Sequence, residues 1–228
     1  MSLTPSEFDI WRMVEVEAES QSRLLTDTEE EYEFLERYID SGKPSYPAGE
    51  HHFLIRTSFR YQAPTPPEYA GRFKEPMSHV QGLYGSVAPQ TTFYEVAYHW
   101  LRERVHLPSP TQTPEPRTLF SVSFHDNVAY DIGDEPNVAQ LMSRQDYSVS
   151  WQFVRSHPEV RSIIYPSCRC PDRGRNVFTR DIGTLGRTPK DLVNFNLILR
   201  AGEKSCYVVH QSHDSRWPSL EILWATVA

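Results

Sequence analysis

Apolar residues recur along this chain with two different periods, and the change between them divides it. Near the N-terminus Phe8, Ile10, Trp11 and Val14, then Tyr32, Phe34, Leu35, Tyr38 and Ile39, fall at helical spacing and predict two helices between about Ser6 and Asp40. Thr26-Asp27-Thr28 ahead of Glu29-Glu30-Glu31 supplies an N-cap candidate and first-turn carboxylates, and Ser41-Gly42-Lys43-Pro44 is a stop. Ser45 to Gly49 reads as a linker. His52-Phe53-Leu54-Ile55 then predicts the first strand of a main domain, delivering Phe59-Arg60-Tyr61 to a loop that carries Pro64, Pro66 and Pro67.

The centre of the pattern is Gly82-Leu83-Tyr84-Gly85-Ser86, read as a strand end, followed by a helix through Thr92-Phe93-Tyr94-Glu95-Val96-Ala97-Tyr98-His99-Trp100 that Ser86 or Thr91 would cap. Phe93, Val96, Ala97, Trp100 and Leu101 form one apolar stripe on that helix, so Glu95 sits on its flank and can point into a cleft. Further strands are predicted at Thr118–Phe124, Val128–Asp131, Ser162–Tyr165, Asn176–Phe178, Leu192–Arg200 and Tyr207–His210, with a helix over Tyr147–Ser156 and a last apolar stretch from Leu220 to Val227. Strands outnumber helices without regular alternation, which predicts an α+β fold: a mixed, twisted β-sheet with flanking helices. The expected division is an N-terminal helical extension over residues 1–50 and a main domain over 51–228.

Composition narrows the function. A formal charge of −7 over 228 residues argues against general affinity for nucleic acid or an anionic membrane, both of which need a basic face. No apolar run approaches the ~20 residues that cross a bilayer, and the polar, acidic N-terminus is unlike a signal peptide, so a cytoplasmic location is expected. Cys168, Cys170 and Cys206 form no disulfide framework, and Cys168-x-Cys170 lacks a second ligand pair, so no metal is expected. The common phosphate-loop, dinucleotide, zinc-protease and nucleophile-elbow signatures are absent.

What is left is a set of polar residues at the ends of apolar elements: Arg60, Tyr69, Arg72, Tyr84, Glu95 and Ser167. Position alone leaves two readings open for Arg60, Arg72 and Glu95. Arg60 and Arg72 can hold an anionic ligand through forked bonds, or pair locally with Glu68 and Glu75. Glu95 can serve a cleft, or pair with His99 one turn on at the surface. Tyr84 fits a strand core with its hydroxyl satisfied, and Ser167 fits a turn.

Taken in order, Phe59-Arg60-Tyr61, Tyr69-Ala70-Gly71-Arg72-Phe73, Leu83-Tyr84-Gly85-Ser86, Glu95-Val96, Ile164-Tyr165-Pro166-Ser167 and Asn176-Val177 resemble the RES-domain toxins of bacterial toxin-antitoxin modules, a family related to ADP-ribosylating toxins. The resemblance covers about Phe53 to Val177 and is nearest the ParT-like branch; Phe73 stands where the family usually has Trp, and Arg56 is the alternative to Arg60. It implies an ADP-ribosyltransferase-like sheet, NAD as substrate and cleavage of the nicotinamide–ribose bond. Glu95 and Arg60 would be catalytic, and Arg60, Tyr69, Arg72, Tyr84, Ser86, Ser167 and Asn176 would bind NAD. It also implies a cognate antitoxin and a protein acceptor of ADP-ribose, associated in that branch with phosphoribosyl-pyrophosphate synthetase. Phosphate or water as acceptor would make the protein an NAD phosphorylase or glycohydrolase, and a non-catalytic binding module on the same fold is the rival from another class.

Overall fold

The structure, a computed structural model, describes residues 3–15, 25–60, 64–65, 67, 70–106, 114–200, 202, 204–212 and 214–228. Its centre is an eight-stranded mixed sheet: β1 (Leu3–Glu15), β2 (Leu83–Ser86), β3 (Glu115–Asp131), β4 (Ser162–Pro166), β5 (Arg175–Thr179), β6 (Lys190–Arg200), β7 (Ser205–His210) and β8 (Leu220–Leu223). The order is β1-β2-β5-β4-β3-β6-β7-β8, and β1 also pairs with β3, so that β1, β2, β5, β4 and β3 close into a ring from which β6 to β8 extend. Only β3 and β4 run parallel. The α+β expectation with a mixed sheet is therefore met.

Two expectations are overturned. The segment with Phe8, Ile10, Trp11 and Val14 is strand β1, antiparallel to β3 from Leu3 opposite Tyr130 to Glu15 opposite Arg117. Phe8, Ile10 and Val14 pack into the cluster inside the ring, while Trp11 and Met13 pack on the opposite side. A strand buried on both faces reads as a nearly continuous apolar run, which helical spacing also fits. Residues 3–15 thus belong to the sheet as β1 and not to a helical extension. The second correction concerns His52 to Ile55. They enter helix α2 (Phe53–Arg56), which continues into a 3-10 turn over Thr57–Phe59. A strand would send Leu54 and Ile55 to opposite faces, whereas the turn buries both, with Phe59, in one cluster.

The remaining elements fall where the sequence places them, with differences at the start of α3 and in β3. Helix α1 (Glu29–Ser41) starts at Thr28, whose hydroxyl accepts from the Glu31 amide while the Glu31 carboxylate accepts from the Thr28 amide. Helix α3 (Pro89–Arg104) begins at Ala88 with Pro89 in its first turn, so neither Ser86 nor Thr91 caps it. Its Phe93, Ala97, Trp100 and Leu101 are buried against β6 to β8. The two strands expected at 118–124 and 128–131 are one strand, β3. Short α4 (Val138–Leu141) and α5 (Ser148–Ser156) cover a third cluster around Phe73, Tyr130, Tyr165 and Phe178, and α6 (Trp224–Val227) follows β8. No helix among the described residues is long and apolar enough to cross a membrane.

Gly82 fixes how β2 enters the ring. Its φ is +156°, and a Cβ there would lie 2.4 Å from the Thr179 carbonyl oxygen and 2.7 Å from the Phe178 ring. Gly82→Ala is expected to cost ~3 kcal/mol, because backbone oxygen cannot yield as a side chain would. The shift in the denaturant midpoint at unchanged slope measures it.

Candidate functional site

Side-chain alternation carries three polar residues to the outer face of the ring. Ser86 lies opposite Asn176 on paired β2 and β5, and Tyr165 lies opposite Asn176 on β4. Helix α3 crosses over this face and brings Glu95 to them. The Glu95 Oε1 accepts from Ser167 Oγ at 2.7 Å and from Asn176 Nδ2 at 2.7 Å. Asn176 is itself oriented by Ser86 Oγ, which donates to its Oδ1 at 2.7 Å. Ser167 Oγ accepts from the Arg169 and Cys170 amides at 3.1 and 2.9 Å, which directs its own hydrogen at Glu95. Ser86, Asn176 and Ser167 are buried. Both bonds fall on Oε1, so Oε2 has no protein partner among the described residues. No ion pair links Glu95 to His99.

Glu95 faces a cleft of about 450 Å³ whose walls come from β1, the turn at residues 70–74 ahead of β2, β2, α3, Tyr147 ahead of α5, β4 with the loop after it, and β5. Positive charge dominates it. Arg12 reaches in from β1, donating from Nη1 to the Tyr84 carbonyl at 2.8 Å, while its buried Nε has no hydrogen-bond partner. Burial brings its pKa down to about 10, which leaves it a cation at neutral pH. Lys74 also lines the cleft, and burial together with the Arg12 charge pulls its ammonium down to about 8. The described residues place no carboxylate in ion-pair distance of either group. Between about pH 8 and the unperturbed 10.5, the unfolded chain keeps a proton that the folded chain has released at Lys74, so the cost of this group to folding shrinks as pH rises through that window. His99, one turn beyond Glu95, is held down to about 4 by desolvation and by Arg102 and Arg169, and is neutral at pH 7.

The RES domain family matches residues 45–189. The chain belongs to the RES domain family. A chain in the crystal structure of the M. tuberculosis MbcT-MbcA toxin-antitoxin complex is similar at 11% identity, over 84% of this chain and 86% of that one, with a TM-score of 0.46. No curated protein matches the chain in sequence.

Of the residues that the RES resemblance singles out, the structure brings Glu95, Ser86, Ser167, Asn176, Arg72 and Tyr84 to one region. Arg72 is buried, donates to the Leu141 carbonyl at 2.6 Å and to Cys168 Sγ at 3.0 Å, and lies over the Tyr147 ring at 4.8 Å. Tyr84 supports rather than faces outward. Its hydroxyl accepts from the Phe73 amide at 2.9 Å, which pins the turn carrying Arg72 and Lys74, and burial pushes its pKa up. Tyr69 lies outside the described residues.

Arg60 does not join them. It is buried at the C-terminal end of α1, donating to Asp40 Oδ1 at 3.0 Å and to the Pro44 carbonyl, with its guanidinium 4.1 Å from the Tyr46 ring centroid. Arg56, the alternative, donates to the Pro47 carbonyl at 2.7 Å and lies over the same ring. The expected convergence of Arg60 with Glu95 is therefore corrected: Asp40, Pro44 and Tyr46 satisfy Arg60 away from the cleft. Glu75 pairs with Arg155 rather than with an arginine of the site. Arg12 and Lys74 take up the cationic wall, and the sequence reading passed over both. Arg12 was hidden by the helical reading of β1, although an arginine within an apolar strand was the available signal. Of the other cysteines, Cys170 is buried, and burial pushes the Cys206 thiol up to about 12.

Proposed function

We propose that the cleft binds NAD and breaks the bond between nicotinamide and ribose, with Glu95 as the carboxylate that meets the sugar. The observation that carries this reading is the fixed Glu95: one oxygen is held by Ser167 and Asn176, the other is open to a cleft lined by Arg12 and Lys74, neither of them ion-paired among the described residues. Nicotinamide departs from a cationic nitrogen with the electron pair of the broken bond, as a neutral base, so no general acid is required. Positive charge then develops on the ribose. A carboxylate whose position is already set stabilises that charge without reorganising, as glycosidase carboxylates do. Ser86 acts through Asn176, keeping its amide nitrogen turned to Glu95. The diphosphate of NAD lies against Arg12, taking the part that the family resemblance gave to Arg60.

Family membership supports placing this chemistry in the toxin of a toxin-antitoxin module, with a cognate antitoxin as partner and a protein as acceptor of ADP-ribose. Phosphoribosyl-pyrophosphate synthetase is the first acceptor to test on the ParT-like resemblance. The acceptor is read from the product: the purified chain is incubated with NAD in buffer, with phosphate, and with bacterial extract. A protein acceptor predicts an ADP-ribose adduct on extract protein and nicotinamide release that depends on extract. Equal release in plain buffer with free ADP-ribose overturns transfer in favour of hydrolysis, and release only with phosphate overturns it in favour of phosphorolysis.

A further inference from the structure

The cleft holds a cation, Lys74, that the sugar chemistry does not use. Lys74 ends a tight turn in which the Gly71 amide donates to the Lys74 carbonyl at 2.9 Å and the Lys74 amide returns to Gly71 at 3.2 Å. The turn is fixed from three sides. Tyr84 Oη accepts from the Phe73 amide, Trp151 Nε1 donates to the Gly71 carbonyl at 2.9 Å, and the buried Phe73 ring packs on Tyr165 and Phe178 at 5.0 and 5.6 Å. The ammonium is thereby carried into the cleft on a rigid support, with no partner among the described residues.

Its surroundings favour an anion. From β1 it faces Arg12, and its own turn adds Arg72, whose guanidinium is tied to Leu141 and Cys168. Helix α3 presents Glu95, already held by Ser167 and Asn176, with His99, Arg102 and Glu103; Glu103 pairs with Arg104. The titratable groups from the other walls are Tyr84 on β2, Tyr147 ahead of α5, Tyr165 on β4, and Cys168 and Arg169 just beyond it. Two cations stand side by side, and neither nearby carboxylate neutralises them. Keeping Lys74 charged and out of water beside Arg12 costs free energy that a bound anion returns.

Resting on the reading of the cleft as an NAD site, we propose that Lys74 is the second cation of a diphosphate subsite and that substrate and proton enter it together. In the free protein the amine is partly deprotonated near pH 8, because burial and Arg12 lower its pKa to about 8. A diphosphate diester does not titrate in this range, so its charge favours the protonated amine and draws a proton from solution. Affinity is then greatest below about pH 8 and falls as pH rises above it, the sign required when the protonated form is the one that binds.

Calorimetric titration of the Glu95→Gln chain at pH 8, in two buffers of different ionisation enthalpy, tests this. NAD and diadenosine diphosphate, a diphosphate diester without nicotinamide, are the two probes. The expected result is uptake of about half a proton per bound NAD. Adding Lys74→Arg is expected to keep binding and abolish the uptake, giving an affinity flat from pH 7 to 9. Adding Lys74→Met is expected to weaken binding by about tenfold or more at pH 7 without lowering the thermal midpoint, which a structural role would lower. NAD bound equally well by the Lys74→Met chain, or uptake that survives Lys74→Arg, overturns the proposal and leaves the NAD reading standing. Binding of diadenosine diphosphate that depends on Lys74, with no binding of NAD, sustains the subsite and overturns the NAD reading.

Discussion

Replacing Glu95 by glutamine is expected to lower the rate of NAD cleavage by about 10²- to 10³-fold while NAD binding and the unfolding midpoint change little. Glutamine keeps the shape of the side chain, and its carbonyl oxygen can still accept from Ser167 Oγ and Asn176 Nδ2, which now bond Glu95 Oε1 at 2.7 Å each. What is lost is the negative charge, and a charge that matters only as the ribose becomes cationic affects kcat more than KM. Glu95→Ala is the less informative variant. It would strand two donors in buried surroundings, at a cost of ~1–3 kcal/mol each, and would mix damage to the fold with loss of chemistry. Kinetics of nicotinamide release, beside calorimetric binding and thermal unfolding of the same preparation, check all three parts.

Arg12→Met is expected to weaken NAD binding by about 10- to 100-fold and to leave the protein as stable as before, or more so. Among the described residues the guanidinium is removed from water for one hydrogen bond, to the Tyr84 carbonyl, and its buried Nε has no partner. An unbranched apolar side chain fills the same path through the protein without that penalty. Arg60→Met should behave in the opposite way. Arg60 holds Asp40, Pro44 and Tyr46 together at the foot of α1, so its loss is expected to cost ~1–3 kcal/mol of stability and to leave NAD affinity unchanged. Denaturant titration and NAD binding on the two variants read out this crossed pattern. An Arg60→Met chain that stays stable and loses NAD, with Arg12→Met unaffected, would return the phosphate grip to Arg60.

The contrast between these arginines shows what the sequence could and could not disclose. Local signals were legible: the N-cap candidate and first-turn carboxylates over residues 26–31, the stop at Gly42, the short strands ending at Ser86 and over 162–165, and the apolar stripe on α3 that leaves Glu95 on its flank. The order of Ser86, Glu95, Ser167 and Asn176 along the chain was visible, and strand register then places them together, because Ser86 and Asn176 are cross-strand neighbours. Long-range pairing was not legible. Strand β1 finds β3 more than 100 residues away, and only that pairing decides that Phe8, Ile10 and Val14 alternate with Trp11 and Met13 across a sheet instead of lining a helix. Once β1 was misread, Arg12 had no reason to stand near Glu95. Arg60 failed for the converse reason: its sequence neighbourhood fits the family, and its destination depends on α1 and the segment from Pro44 to Tyr46.

The central claim is that this cleft breaks the nicotinamide–ribose bond. The most direct measurement is free nicotinamide against time, with purified protein and NAD labelled in the nicotinamide ring, in the presence of bacterial extract. The prediction is one nicotinamide released for each NAD consumed, at a rate proportional to the protein and nearly abolished in the Glu95→Gln chain. NAD that binds the cleft and stays intact, or nicotinamide release that the Glu95→Gln chain matches, would contradict it.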